Sequence, residues 1–221
     1  MVLHDSDRRP PAQDEPIVSA ELIRARLRGS LAGDDPTVVE IGATRDWPTG
    51  LQRRMTANLK PAGVLVPIVE RSAGLAVLLT RRSHELKHHP GQVSFPGGRM
   101  EPDDPDIRHT ALRETHEEVG IHPGQVDVAG YLAPMPTVTG YAVTPVIGFV
   151  GNDVRLTLDP TEVELAFEVP LAFLLDSRNE TWSERVIDDF PVPIVEFGYG
   201  GQRIWGATAS MVVALRQTLS L

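Results

Sequence analysis

The segment Arg113-Glu114-Thr115-His116-Glu117-Glu118-Val119-Gly120 constrains the chain more than any other. It closes a stretch over residues 106–119 whose pattern predicts a helix, with Gly120 where a left-handed C-cap glycine belongs. Each helical residue turns the chain by roughly 100°, so Glu114, Glu117 and Glu118 share about one third of the circumference. Leu112 and Val119 point the opposite way, towards a core. Arg113 is spaced to reach Glu117 at i,i+4 and to set which oxygen that carboxylate presents. Three like charges on one face repel, and helix propensity gives no reason to choose them. One explanation is a solvated acidic face with a single ion pair. The other is a hard divalent cation, which wants several oxygen ligands.

What precedes the helix favours the cation. Gln92-Val93-Ser94-Phe95 is a short strand-like run that breaks at Pro96-Gly97-Gly98. A glycine pair lets backbone approach a phosphate, and the turn delivers it to the carboxylates. Glu114, Glu117 and Glu118 are therefore the expected metal ligands.

Elsewhere the pattern is one of short elements. Residues 1–16 carry three prolines with mixed charges and read as a disordered segment. Ser19 is placed to cap a helix over 19–31 with Leu22, Ile23, Leu27 and Leu31 as its stripe, and 33–58 shows no firm period. Residues 17–58 thus form an N-terminal extension. The runs 64–69 and 75–80 are apolar and flank Ser72-Ala73-Gly74, which predicts a hairpin. Strands are expected at 126–132, 144–150 and 164–168, and a closing helix at 207–219. Strands interrupted by helices suggest an α/β sandwich.

Composition narrows the function. The formal net charge of −9 argues against a general nucleic-acid binder, whose footprint would be basic. An acidic chain handling an anionic substrate needs a metal or clustered cations, and Arg81, Arg82, Lys87 and Arg99 supply the latter. They also read as solubilising loop charges. His88 and His89 are expected to be exposed, and Trp205 to serve core packing rather than as an adenine platform. Without cysteine there are no disulfides, zinc–thiolate sites or thiol catalysis. No apolar run approaches the roughly 20 residues of a membrane span, and the first residues are no signal peptide, so a cytoplasmic location is expected.

Residues 98–121 resemble the Nudix box: Gly, five residues, Glu, seven residues, then Arg-Glu-apolar-x-Glu-Glu-x-Gly-apolar. The interval from Gly98 to Arg113 is one residue longer, Asp104 or Glu101 stands where the first Glu falls, and Thr115 replaces the usual apolar residue. A second segment is Leu78-Leu79-Thr80-Arg81-Arg82-Ser83, then Lys87, Gly91 and Phe95-Pro96-Gly97-Gly98, with three residues between each and the next. It is similar to the signature of coenzyme A diphosphatases within that superfamily, with Lys87 where Arg is usual. The likeness continues through Thr137-Val138-Thr139-Gly140-Tyr141, Glu162-Val163, Glu168-Val169-Pro170-Leu171 and Ile204-Trp205-Gly206-Ala207-Thr208.

That resemblance implies an α/β/α sandwich with a mixed central sheet over residues 59–221. It implies Mg2+ or Mn2+ held by Glu114, Glu117, Glu118 and Gly98, with Arg113 as a catalytic-site residue. Substrate contacts would come from Arg81, Arg82, Ser83, Lys87, Gly91, Phe95, Gly97 and Gly98. The implied reaction is attack of water on the diphosphate of coenzyme A, giving 4′-phosphopantetheine and adenosine 3′,5′-bisphosphate. Glu118 and Glu162 compete as general base, and Glu162 reads equally as a turn residue. Other substrates (ADP-ribose, NADH) and a catalytically silent ligand-binding module are the alternatives. No nucleic acid or membrane partner is expected, and a homodimer is compatible with the resemblance.

Overall fold

A computed structural model describes residues 18–30, 32, 35–38, 49–187 and 189–221. The expectation for residues 1–16 falls outside these, as does Leu31. Helix α1 (Ala20–Leu27) begins at Ser19, whose hydroxyl accepts from the Leu22 N–H at 3.2 Å. It buries Ile23 and Leu27 and stops short of the predicted end. Helix α2 (Thr49–Met55) lies inside the stretch that shows no period, because seven residues offer only Leu51 and Met55 as a repeat.

Strands β1 (Lys60–Arg71) and β2 (Gly74–Arg82) form the predicted hairpin, with Arg71 opposite Gly74. Two short strands, β3 (Val93–Ser94) and β4 (Gly97–Arg99), precede helix α3 (Ile107–Val119). Then come β5 (Val126–Tyr131), β6 (Met135–Pro136), β7 (Tyr141–Val150) and β8 (Val163–Pro170). Helix α4 (Leu171–Leu175) leads to β9 (Thr181–Ile187), β10 (Phe190–Tyr199) and β11 (Gln202–Trp205), and α5 (Ala207–Leu219) closes the fold over the range read from its apolar residues.

The central sheet runs β3-β2-β1-β7-β5, with β4 on β1, β6 on β7 and β8 on β2. Only β1 and β7 are parallel, in register from Lys60↔Tyr141 to Val69↔Val150, so the sheet is mixed. Strand alternation divides the core into two layers. Leu65, Val69, Val146 and Val150 pack with Ala111, Leu112 and Val119 of α3. Val66, Ile68, Ile147 and Phe149 share the opposite layer with Ile23 of α1 and Val212 of α5. This is an α/β/α sandwich. Each fully buried Leu, Ile or Val contributes about 1.5–3 kcal/mol, so α3 is held firmly against β1. No helix among the described residues is long and apolar enough to cross a membrane.

A second, three-stranded sheet (β11-β10-β9) was not among the expected elements. Strand β9 is exposed along most of its length and lacks alternation, while Pro191 and Pro193 make β10 read as a loop. Leu51 and Met55 of α2 cover it at Val192.

Candidate active site

Helix α3 is fixed at both ends. The Asp106 carboxylate accepts from the His109 N–H at 2.7 Å, and Gly120 closes it in the left-handed conformation with φ 77°. Ala111, Leu112, Thr115 and Val119 face the sheet. Thr115 fits this apolar layer because its hydroxyl donates back to the Ala111 carbonyl at 2.6 Å. The three glutamates are not equivalent, although they share a face. The Glu117 side chain is 57% exposed, Glu114 16% and Glu118 3%.

The glycine loop makes the difference. Strand β4 pairs with β1 through Gly63↔Gly98 and Val64↔Gly97. Gly97 has φ 147°, and a Cβ there would lie 2.4 Å from the Gly63 carbonyl oxygen and 2.5 Å from the Val64 Cα. Only glycine fits. At Gly98 a Cβ would lie 2.5–2.7 Å from the Glu114 carboxylate group. The missing side chain is thus the space that Glu114 occupies. The Gly97 N–H donates to Glu118 Oε2 at 3.3 Å, so the loop lies on two of the three carboxylates.

Arg113 stands among these acids. Its Nη1 lies 3.0 Å from Glu114 Oε1 and 3.0 Å from Glu117 Oε2, one cationic nitrogen between two carboxylates. Its Nε and Nη2 donate to Asp104 at 3.0 Å and 2.9 Å, and Asp104 is buried, further held by the Thr110 hydroxyl and the Glu101 N–H. Glu101, by contrast, is half exposed beside Arg99. Of the two acids open to the first position of the box, Asp104 is the one tied to the helix.

Electrostatics follow from this packing. Hydrogen bonds from Arg113 hold the Asp104 carboxyl well below the usual carboxylate range, and Asp104 in turn holds the guanidinium proton more tightly than usual. Burial raises Glu114 despite the neighbouring Arg113. Burial pushes Glu118 up to about 8, with Arg82 and the Gly97 N–H opposing and the charges of Glu162 and Glu114 adding.

Glu162 reaches the site through the loop after β7. Thr157 N–H donates to the Val119 carbonyl at 2.9 Å and Asp159 N–H to the Glu118 carbonyl at 3.0 Å, satisfying acceptors at the end of α3. Asp159 turns the loop by accepting from the Thr161 N–H and hydroxyl, which lower its carboxyl below the ordinary value. The Glu162 carbonyl then accepts from the Ser83 N–H at 2.8 Å. Glu162 is a turn residue whose half-buried side chain acts electrostatically on both Glu114 and Glu118.

The residues of the 78–98 segment divide. Arg82 Nη1 lies 3.7 Å from Glu118 Oε1, at the site. Arg81 is paired with Glu164 at 2.9 Å instead. Ser83 is buried and its hydroxyl accepts from the Glu85 N–H, so it shapes the loop. Lys87, His88 and His89 are exposed. Gly91 has φ 68° and lies against the His84 ring. Phe95 departs from the expectation of substrate contact: it is 3% exposed in the core layer of α5, where it anchors the glycine loop from below. Trp205 departs from the expectation of core packing: it is half-buried, with the Arg185 and Arg203 guanidiniums 4.8 and 5.0 Å from its ring centre.

As placed, no three acid or imidazole side chains among the described residues converge on one point, because Arg113 and Arg82 lie among the carboxylates. The donor set nevertheless fits a hard cation. It consists of carboxylate oxygens, it is under-compensated at Glu118, and a cationic nitrogen already occupies the space between two of its members.

Residues 59–190 match the model of the NUDIX domain. The chain is 39% identical over 166 residues, 75% of its length and 85% of the relative's, to the uncharacterized Nudix hydrolase NudL of Yersinia enterocolitica. It is also 39% identical to the uncharacterized Nudix hydrolase NudL of Pectobacterium atrosepticum, over 80% of this chain and 95% of the other. Among solved structures, the Nudix hydrolase RenU of M. smegmatis shares the fold with a TM-score of 0.50 and 19% identity, covering 73% of this chain and 86% of that one. Two carboxylates under a glycine loop, an arginine clamped by Asp104 and the extent of this match lead to one family: the chain belongs to the Nudix hydrolases, which act on nucleoside diphosphate derivatives.

Proposed function

We propose that the chain hydrolyses the diphosphate bridge of coenzyme A or its derivatives, with Mg2+ or Mn2+. The observation that carries this reading is that both ends of the segment resembling the coenzyme A diphosphatase signature meet on one carboxylate. Arg82 approaches Glu118 at 3.7 Å and the Gly97 N–H at 3.3 Å.

Glu114, Glu117 and Glu118, beside Gly98, would hold the cation, which supplies charge neutralisation of the diphosphate and acidifies water. The chain's own residues do the positioning. The Gly97-Gly98 backbone lets a phosphate lie against the helix, and Arg113 fixes the carboxylates at its base. Arg82 and Lys87 supply positive charge to a substrate that a chain of net charge −9 would otherwise repel. Ser83, Gly91 and Phe95 shape the loop that carries them, and Arg81 is held in reserve by Glu164. Water attacks a phosphorus, its proton passes to a carboxylate, and the bond to the bridging oxygen breaks. Products are 4′-phosphopantetheine and adenosine 3′,5′-bisphosphate. Glu162 is the better placed base, since Glu118 is almost closed to solvent.

The test is a product screen of the purified chain with coenzyme A, ADP-ribose and NADH, each with Mg2+ and with Mn2+. The expected result is release of adenosine 3′,5′-bisphosphate from coenzyme A. Turnover confined to ADP-ribose or NADH would reassign the substrate. Affinity without any product would make the chain a binding module.

A further inference from the structure

A cavity of about 340 Å³ opens next to the glycine loop, lined by Lys60, Pro61, Arg99, Met100, Pro102 and Tyr141, together with Glu101. Its volume lies at the lower end of small-molecule sites, roughly 300–1,000 Å³. Arg99 directly follows Gly98, the residue that touches the Glu114 carboxylate, and its carbonyl accepts from Arg113 Nη2 at 3.4 Å. A diphosphate seated at Gly98 therefore has this cavity one residue away for one of its two substituents.

The lining has a definite chemistry. Among the described residues the Lys60 ammonium has no carboxylate partner, and it is exposed. Arg99 is 70% exposed, and among the described residues its guanidinium meets Glu101, at 3.3 Å, a surface pair that contributes little and yields to a stronger anion. Arg82 lies at the carboxylate helix, 3.7 Å from Glu118, where it serves the diphosphate, and Arg81 is paired with Glu164. Lys60 and Arg99, on the other side of the glycine loop, are placed to take up a second, separate phosphate. Tyr141, half-buried, lines the same cavity beside Lys60, with Pro61, Met100 and Pro102 as apolar neighbours, a surface suited to a flat heterocycle.

The segment Thr137-Val138-Thr139-Gly140-Tyr141 explains why Tyr141 stands there. Thr137 N–H donates to the Tyr141 carbonyl at 2.8 Å and Gly140 N–H to the Thr137 carbonyl at 3.0 Å, a tight turn. The Lys60 N–H donates to the Gly140 carbonyl at 3.0 Å, and the parallel register sets Lys60 beside Tyr141. Cation and ring are delivered together by one turn.

We propose that this cavity receives the purine nucleoside end of the substrate, with Lys60 and Arg99 binding a phosphate monoester on its ribose 3′-oxygen. The assignment rests on the reading of coenzyme A as substrate and makes the 3′-phosphate a specificity determinant. The first experiment compares kcat/KM for coenzyme A and for dephospho-coenzyme A, which lacks that phosphate. The wild type should prefer coenzyme A by about tenfold or more, and Lys60→Ala with Arg99→Ala should bring the ratio close to one. Equal losses on both substrates, or an unchanged ratio, would overturn the proposal. The second experiment measures binding of adenosine 3′,5′-bisphosphate and of AMP to the metal-free chain. Tighter binding of the bisphosphate, abolished in the double variant, supports the cavity even if coenzyme A is not cleaved. Equal affinity for the two nucleotides in the wild type rejects it even if coenzyme A is cleaved.

Discussion

Asp104 grips Arg113 with both carboxylate oxygens, accepting from Nε at 3.0 Å and from Nη2 at 2.9 Å, and so aims the third nitrogen between Glu114 and Glu117. The pair links the segment before α3 to the acidic face of the helix. Two parallel charge-assisted bonds fix orientation as well as distance.

Asp104→Asn keeps the shape and removes the charge. Breaking a largely buried pair while leaving Arg113 in place should cost about 2 kcal/mol in urea denaturation and lower turnover about tenfold. The cost should depend on pH. Because the folded carboxyl is held below its ordinary value of 3.8, its contribution is complete above that value and fades as pH falls through the folded one. The gap between wild type and variant should therefore stay level from pH 6 to about pH 4.5 and narrow as pH falls below the ordinary value of 3.8. A constant gap would contradict the pairing.

Glu118 carries the opposite sign. Burial raises its folded value from 4.5 to about 8, so the protonated form favours folding and the metal-free chain should lose stability as pH rises through that window. Thermal melts in chelator from pH 5 to pH 9 should show this decline. Glu118→Gln should flatten it, lose the stabilisation that Mn2+ gives the wild type, and lower kcat by orders of magnitude, roughly 10²–10⁴-fold. A variant with the wild-type pH slope and full metal response would exclude Glu118 from the site.

The adjacent glycines should separate fold from function. A methyl at Gly97 meets backbone, at Gly63 and Val64, in a conformation that side chains avoid, so Gly97→Ala should cost about 2 kcal/mol or more. A methyl at Gly98 meets first the end of the Glu114 side chain, which can swing away. Gly98→Ala should melt within a few degrees of the wild type and lose about 10²-fold in kcat. Circular dichroism melts and steady-state rates distinguish the pair, and equal melting of the two variants would refute the contrast.

Glu162 holds Ser83 through its backbone carbonyl, so its side chain is free for chemistry. Glu162→Gln should leave the melting temperature unchanged and lower kcat about 10²–10⁴-fold with KM little altered. Full turnover in this variant would return the base role to Glu118.

Helices α3 and α5 and the β1–β2 hairpin were legible because local chemistry and long-range packing agree there. Asp106 and Gly120 mark both ends of α3, and the 207–219 stripe is apolar enough to need a core. Strand β10 was not, since its two prolines argue locally against a strand that tertiary contacts impose. At the site, helical spacing put three glutamates on one face but could not rank them. Their burial depends on where the glycine loop lies, and that is set by pairing with β1, 33–37 residues earlier. Asp104 could have been separated from Glu101 by its position two residues before the cap, where a carboxylate faces back along the helix. Phe95 misled because a residue within a substrate-associated motif can serve it from the interior.

The bonds from Thr157 and Asp159 to the last carbonyls of α3 carry a consequence for how such chains diversify. They measure the position of Glu162 from the end of the helix rather than along the intervening polypeptide. Between Gly120 and Leu156 the chain adds β5, β6 and β7 to the central sheet and then returns to the same two attachment points. Turns within this stretch, such as the exposed one at Gly151, Asn152 and Asp153, can gain or lose residues while the acid stays where it is. Length at such turns is free to drift, and the reactive geometry is insulated from the drift.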